Sequence, residues 1–271
     1  MKRIVTIQDI SCVGKCSLTV ALPIISAMGI EASIIPTAVL SAHTIFEGHT
    51  FKDLTNEITP ISEHWKKEGF DFDAIYTGYL GSKKQIDIVS KFFDDFKTDG
   101  NFIFVDPAMA DGGVLYPHFD DSFVKKMKRL CSRADVISPN LTEAALLTGR
   151  EYKKEYDRNY IQSIVYSLVE NGSKSVILTG IALDGKYGIV SYDGKEFDYF
   201  THEKIDRVFY GTGDIFSSVC VGALTQGKSL KQAVKTAGDF TLESIKASVS
   251  NPDTRYYGVD FETVLHTLYE K

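Results

Sequence analysis

Gly211-Thr212-Gly213-Asp214 is the segment whose residue types and order could do the most chemistry. It stands just ahead of a helical pattern, so first-turn N–H groups lacking intrahelical partners can point at an anion, and the glycines let a phosphate approach closely. A carboxylate at the same helix start can take the proton of a hydroxyl that attacks a phosphoryl group resting on those N–H groups. A glycine turn followed by an acid also serves the helix dipole, so the segment needs company to mean more. Two further acidic segments supply it. Asp106-Pro107 follows the strand-like run Phe102 to Val105, and Asp111 comes five residues later beside Gly112-Gly113. Singly each acid marks a turn, whereas together they could hold Mg²⁺ or its waters. Asn140-Leu141-Thr142-Glu143 follows the next strand-like run. Asn with Glu three residues on is a capping box, and the same placement would aim Glu143 at metal-bound phosphate, so cap and site stand as compatible readings.

Another stretch, Gly222-Ala223-Leu224-Thr225-Gln226-Gly227-Lys228-Ser229, matches the P-loop pattern letter for letter. A P-loop follows a buried strand, but Ile215, Phe216, Val219, Ala223 and Leu224 recur at helical spacing just before this one. The first glycine is therefore expected inside a helix, Gly227 at its C-cap, and Ser229 with Gln232 in a capping box that starts the next helix.

Positioning these segments falls to elements that alternate along the chain. Arg3 to Gln8 reads as a strand, Ser17 to Met28 as a helix bent or delayed by Pro23, and Ala32 to Pro36 as a second strand. A helix near Leu54 to Lys67, the strand Ala74 to Tyr76 and a turn at Gly78 to Gly81 come next. A helix near Ile86 to Phe96, the strand Phe102 to Val105, a helix near Phe123 to Cys131 and the strand Val136 to Ile137 continue the pattern. Ser175 to Leu178 reads as a core strand, and Gly188 to Tyr192 with Glu196 to Phe200 flank Asp193-Gly194, a hairpin signal. Helices are expected near Ile215 to Leu224, Leu230 to Val249 and Phe261 to Tyr269. The alternation predicts an α/β fold: a mostly parallel central sheet with helices on both faces and a small antiparallel edge, in a single domain spanning residues 1–271. Open sheets of this kind bind ligands at the carboxyl ends of their strands, where the acidic segments fall.

Composition narrows the partners. The 271 residues are 44% hydrophobic and 24% charged, ordinary for a globular protein that folds throughout. Thirty Lys and Arg against 36 Asp and Glu leave a net charge of −6 without a dense basic cluster, so nucleic acid is not an expected partner. No run has membrane-spanning length and the N-terminus lacks a signal-peptide core, which predicts a cytoplasmic protein with no membrane contact. Cys12, Cys16, Cys131 and Cys220 have neither paired spacing nor nearby histidines, and the six histidines are scattered. Reduced, mostly buried cysteines and no transition-metal site are expected.

In this order the motifs resemble the ribokinase-like superfamily and, within it, the pyridoxal kinase family. Gly211 to Asp214 is similar to the superfamily's GxGD anion hole and base, and Asn140 to Glu143 to its NxxE element. Asp106 to Asp111 resembles the DPVxGD segment of pyridoxal kinases, Gly78-Tyr79-Leu80-Gly81-Ser82 their GYLGS loop, and Ser41-Ala42-His43-Thr44 their SNHT stretch beside the substrate ring. The resemblance runs from Gln8-Asp9-Ile10-Ser11 to the C-terminal helices. It implies ATP-dependent phosphorylation of the 5′-hydroxymethyl group of pyridoxal, pyridoxine or pyridoxamine, with Asp214 as base and the Gly211, Thr212 and Gly213 amides as anion hole. Ser11, Thr44 and Tyr79 would surround the pyridine ring. Asp106, Asp111, Asn140, Glu143 and Thr179 would line the nucleotide side, with Asp106, Asp111 and Glu143 toward Mg²⁺, and Lys204 and Ile205 would cover the nucleotide. A monovalent cation such as K⁺ and a homodimer are further implications. Ala108 and Ala110 stand where the family has Val and Gly, and Cys12-Val13-Gly14-Lys15-Cys16 departs from its usual sequence, which leaves the vitamer open. A hydroxymethylpyrimidine kinase of the same superfamily is the alternative, and a nucleotide-binding module without catalysis the remote one. The retained Asp214 speaks against the latter, and the missing glycine-rich signature of sugar kinases against ribose or fructose.

Overall fold

The computed structural model describes residues 1–205, 207 and 209–269. Runs of apolar β-formers become strands and amphipathic stretches become helices, for the most part in turn. The order is β1 (Arg3–Ser11), α1 (Leu18–Ala27), β2 (Glu31–Leu40), β3 (Phe51–Asp53), α2 (Thr55–Glu68), β4 (Ala74–Thr77), α3 (Lys83–Phe96) and β5 (Phe102–Val105). There follow the short β6 (Ala110–Asp111) and β7 (Val114–Leu115), α4 (Asp121–Cys131), β8 (Val136–Ile137), α5 (Leu141–Thr148) and α6 (Arg158–Glu170). The chain continues as β9 (Ser175–Leu183), β10 (Lys186–Tyr192), β11 (Phe197–His202), α7 (Thr212–Thr225) and α8 (Leu230–Ser250), and two 3₁₀ turns follow.

Nine strands form one sheet in the order β11-β10-β9-β8-β5-β4-β1-β2-β3. The central neighbours from β9 to β2 are parallel, while β10, β11 and β3 add antiparallel edges. Parallel strands end on a common edge, so the loops after β1, β4, β5 and β8 converge there. Alternation along each strand sends Val5, Ile7, Ile103 and Val105 to one face, against α2 to α6. Ile4, Tyr76, Phe104 and Ile177 go to the other, against α1, α7 and α8. Buried side chains such as Phe92, Phe93 and Phe104 each contribute roughly 1.5–3 kcal/mol through burial.

The expected α/β architecture with its antiparallel edge is therefore what forms. Three differences are instructive. α6 and the edge strand β3 lie outside the expected elements, although Ile161, Ile164, Val165 and Leu168 recur at helical spacing behind the N-cap Asp157, and Ala110 to Leu115 closes into a small hairpin around Gly112-Gly113. Phe261 to Tyr269 has helical spacing but forms 3₁₀ turns at Phe261–Thr263 and Leu265–Leu268, because Val264 (φ −110°) interrupts the α ladder between them. The P-loop lookalike lies where its context demanded. Gly222 is inside α7, where a Cβ would come within 2.4 Å of the Met28 sulfur, and Ser229 caps α8 through a capping box with Gln232. No helix among the described residues is long and apolar enough to cross a membrane.

Candidate active site

The carboxyl edge opens into a cleft of about 470 Å³. Its central feature is the start of α7. Gly211 is the N-cap residue in the left-handed region (φ 78°), and a Cβ there would lie 1.8 Å from the Lys15 carbonyl oxygen, so only glycine fits. The first-turn N–H groups of α7 then face the cleft as an anion cradle. Asp214, in that first turn, also borders the cleft. Burial and the neighbouring charges of Asp106 and Asp9 push its carboxyl up to about 7, against the opposing pull of the Ser17 N–H. The side chain keeps partial solvent contact through the cleft, which moderates that push.

β5 delivers Asp106, whose Oδ2 accepts a hydrogen bond from Ser217 Oγ at 2.8 Å, tying it to α7. β8 delivers Asn140 and Glu143. The Asn140 side chain accepts from the Glu143 N–H, while Glu143 Oε2 accepts from the Asn140 N–H, both at 2.9 Å. Glu143 Oε1 also accepts from the Met109 and Ala110 N–H groups at 2.9 and 3.4 Å, and Asn140 Nδ2 donates to the Ala110 carbonyl at 2.7 Å. The capping box is thus real, and it also clamps the segment after β5. Burial, then the charge of Asp106, pushes the Glu143 carboxyl well above the usual range. Replacing Glu143 by Ala would strand three backbone donors. Stability is expected to fall by about 1–3 kcal/mol per stranded donor at most, measured as a lower Tm. Glu143→Gln, which keeps the shape, should lose less.

Of the residues singled out from sequence, Asp106, Asp111, Asn140, Glu143, Thr179, Gly211, Thr212, Gly213 and Asp214 all border this cleft. Ser11, Thr44, Tyr79, Lys204 and Ile205 do not. Ser11 is buried with its hydroxyl 3.4 Å from Asp9 Oδ2, Tyr79 packs against Phe119, and Thr44 and Lys204 are exposed. Sequence reasoning missed Asp9, a buried acid in an otherwise apolar strand, which accepts from Ser17 Oγ at 2.6 Å. An acid near the carboxyl end of the first strand was the available signal. It also missed the far arm of the cleft. There Tyr187, Ile189, Phe200 and His202 share one face of the β10–β11 hairpin and oppose Gly238 and Leu242 of α8. Three of the four free cysteines are buried as expected. Cys16 borders the cleft, and Cys12 is exposed.

Four carboxylates and no lysine or arginine border the cleft among the described residues, and none of them forms a ready cluster of three metal ligands. An acidic cleft with an N–H cradle at one point and an apolar slot beside it suits a phosphorylated ligand that brings its own cations. The fold and this arrangement define a ribokinase-like phosphotransferase. Comparison with known proteins agrees: the family model for phosphomethylpyrimidine kinase matches residues 22–257, and the chain belongs to that family. The hydroxymethylpyrimidine/phosphomethylpyrimidine kinase of Aquifex aeolicus is 35% identical over 67% of this chain and 70% of its own length. A Bacteroides thetaiotaomicron protein provisionally designated a phosphomethylpyrimidine kinase, solved with pyridoxal, is 40% identical, with a TM-score of 0.93 over 98% of this chain and 95% of that one. Pyridoxal kinase from Lactobacillus plantarum is 28% identical, with a TM-score of 0.92 over 100% of this chain and 97% of that one.

Proposed function

We propose that this kinase transfers the γ-phosphate of ATP to the 5′-hydroxymethyl group of a vitamin B6 vitamer. The observation that carries the reading is Asp214, a carboxylate with a raised pKa seated in the same helical turn as the anion cradle. The acceptor hydroxyl gives its proton to Asp214 while its oxygen forms a bond to the γ-phosphorus. The bond from that phosphorus to the β–γ bridging oxygen breaks, and ADP leaves. The N–H groups that open α7 stabilise charge on the transferring group. Nucleotide binding would use Asn140, Thr179 and the apolar slot, with Lys204 and Ile205 moving inward to cover it.

The donor set fits Mg²⁺. The Asp106 charge raises the proton affinity of Glu143, and among the described residues no cationic side chain borders the cleft, so a divalent cation would offset the negative charge there. Bound there, Mg²⁺ would neutralise phosphate charge. Asp106 and the exposed Asp111 are free to ligate or hold its waters. Glu143 spends both oxygens on backbone N–H groups and would act through its charge.

Two observations support a pyridine acceptor. A structure 40% identical to this chain contains pyridoxal. At the acceptor end of the cleft, His43 Nδ1 accepts the Ile45 N–H at 3.2 Å, so the neutral ring carries its proton on Nε2. Burial, then His49, lowers the His43 pKa and keeps it neutral. A donor there suits the phenolic oxygen of a B6 ring and opposes the amino group of a hydroxymethylpyrimidine. The name of the Aquifex relative favours the second reading, phosphorylation of hydroxymethylpyrimidine. A panel of pyridoxal, pyridoxine, pyridoxamine, hydroxymethylpyrimidine and ribose with MgATP separates them. The B6 vitamers are expected to give the highest kcat/KM, and a clear preference for hydroxymethylpyrimidine would reverse the assignment.

A further inference from the structure

Residues Val13 to Ser17, between β1 and α1, touch the proposed site from several directions. The His43 N–H donates to the Val13 carbonyl at 2.7 Å, and a Cβ on Gly14 would lie 2.8 Å from the His43 Cβ. The Lys15 carbonyl sits under Gly211, where it leaves no room for a side chain. Cys16 borders the cleft. The Ser17 hydroxyl donates to Asp9, and its N–H faces the Asp214 carboxyl, whose proton affinity it lowers. Ser17 adopts φ 51°, ψ −133°, a backbone state that a residue with a Cβ rarely takes unless its surroundings hold it there.

What holds the segment from outside is the far end of the chain. Lys15 Nζ donates to Asp260 Oδ1 at 2.8 Å and to Glu262 Oε2 at 2.9 Å, although Lys15 and Asp260 are 245 residues apart in sequence. The side chains of Lys15 and Asp260 are only 19% and 11% exposed, which shields their pair from solvent, whereas Glu262 is 53% exposed and adds little. Asp260 is itself fixed. Its Oδ2 accepts from Asn251 Nδ2 at 2.8 Å and Thr254 Oγ1 at 2.6 Å, and its N–H donates to Ser248 Oγ at 2.7 Å. Gly258 lies flat on the lysine stem, where a Cβ would meet the Lys15 Cβ at 2.4 Å.

We propose that Lys15 and Asp260 form a positioning device for the base: through this pair the C-terminal segment pins residues 13–17, keeping Ser17 on Asp9 with its N–H facing Asp214, and the Lys15 carbonyl under Gly211. The proposal rests on Asp214 being the base. Both groups act on the reacting atoms only through others, so neither is catalytic itself. Releasing the pin lets the strained Ser17 relax, and the carboxylate loses its fixed aim while the nucleotide arm of the cleft, built by the hairpin and α8, is untouched.

The test uses Lys15→Met, Asp260→Asn, their double variant and Lys15→Arg in the full chain, assayed with pyridoxal and MgATP alongside ADP binding by calorimetry. Each loss variant is expected to lower kcat roughly 10- to 100-fold, since small misplacements of a reacting group have effects of that size. ADP affinity should stay within about twofold, because the nucleotide arm is intact. The double variant should be no worse than the worse single one, because the two residues act as one unit, and Lys15→Arg should restore much of the rate. The deciding arm adds Lys15→Met to Asp214→Asn. In that background Lys15 can act only through the cradle at Gly211, so its loss should lower the residual rate by clearly less than it does with Asp214 intact, and an equal additional drop would mark a general structural defect and overturn the proposal. Unchanged kcat in both single variants would overturn it too. An Asp214→Asn variant as active as the wild type would instead remove the base assignment itself, so the two failures read differently.

Discussion

Asp214→Asn is expected to lower kcat roughly 10²- to 10⁴-fold, the range supplied by a positioned general base. The substitution keeps size and helix placement. ADP and ATP binding should survive, because Thr179, Asn140 and the hairpin slot are not altered, so the loss should fall on kcat and not on the KM for ATP. Two signatures accompany it. In the unaltered protein kcat should rise with pH through about 7 as Asp214 ionises, and the residual rate of the variant should lose that limb. Stability should move the opposite way. Burial raises the folded-state pKa of Asp214 above the ordinary carboxylate value, so the folded protein binds the extra proton and its stability falls as pH rises from about 4 toward 7. Above that window Asp214→Asn should therefore melt at a higher temperature than the wild type. A folded variant that phosphorylates pyridoxal at the wild-type rate would leave Asp214 as a helix-start carboxylate only.

Gly211→Ala should be the second most damaging change, through the cradle. A Cβ at φ 78° is strained on its own, and this one would also lie 1.8 Å from the Lys15 carbonyl, which is backbone and cannot rotate away. Either residues 13–17 or the start of α7 must shift, and mis-aiming one donor of an anion hole costs about 10²- to 10³-fold in kcat. The left-handed conformation should cost a further 1–2 kcal/mol or so of stability, read as a lower Tm. Gly213→Ala is the control, since a Cβ there meets no protein atom within 4 Å. It should fold normally, and any loss of rate would then report crowding of the phosphate. Wild-type kcat in folded Gly211→Ala would show that the cradle is not used.

Much of this was legible in the sequence because the signals are local. The periods of 2 and 3.6 in apolar residues give the strands and helices of the central sheet, and the capping-box patterns at Asn140 and Ser229 form as spelled. The helical spacing ahead of Gly222 was enough to reject a letter-perfect P-loop. The ends of strands β5 and β8 put Asp106, Asn140 and Glu143 on one edge without any tertiary information beyond the parallel-sheet rule. Tertiary structure alone decided the rest, for the reason that contact between residues far apart in sequence leaves no periodic trace. It committed both Glu143 oxygens to backbone N–H groups, making the residue a clamp for the segment after β5. It also brought the buried Asp9 to Ser17, set the Lys15 carbonyl against Gly211, and joined Lys15 to Asp260 across nearly the whole chain. The helical spacing of Phe261 to Leu268 yielded to that same packing, since a segment tied down at Asp260 and broken at Val264 closes its turns as 3₁₀.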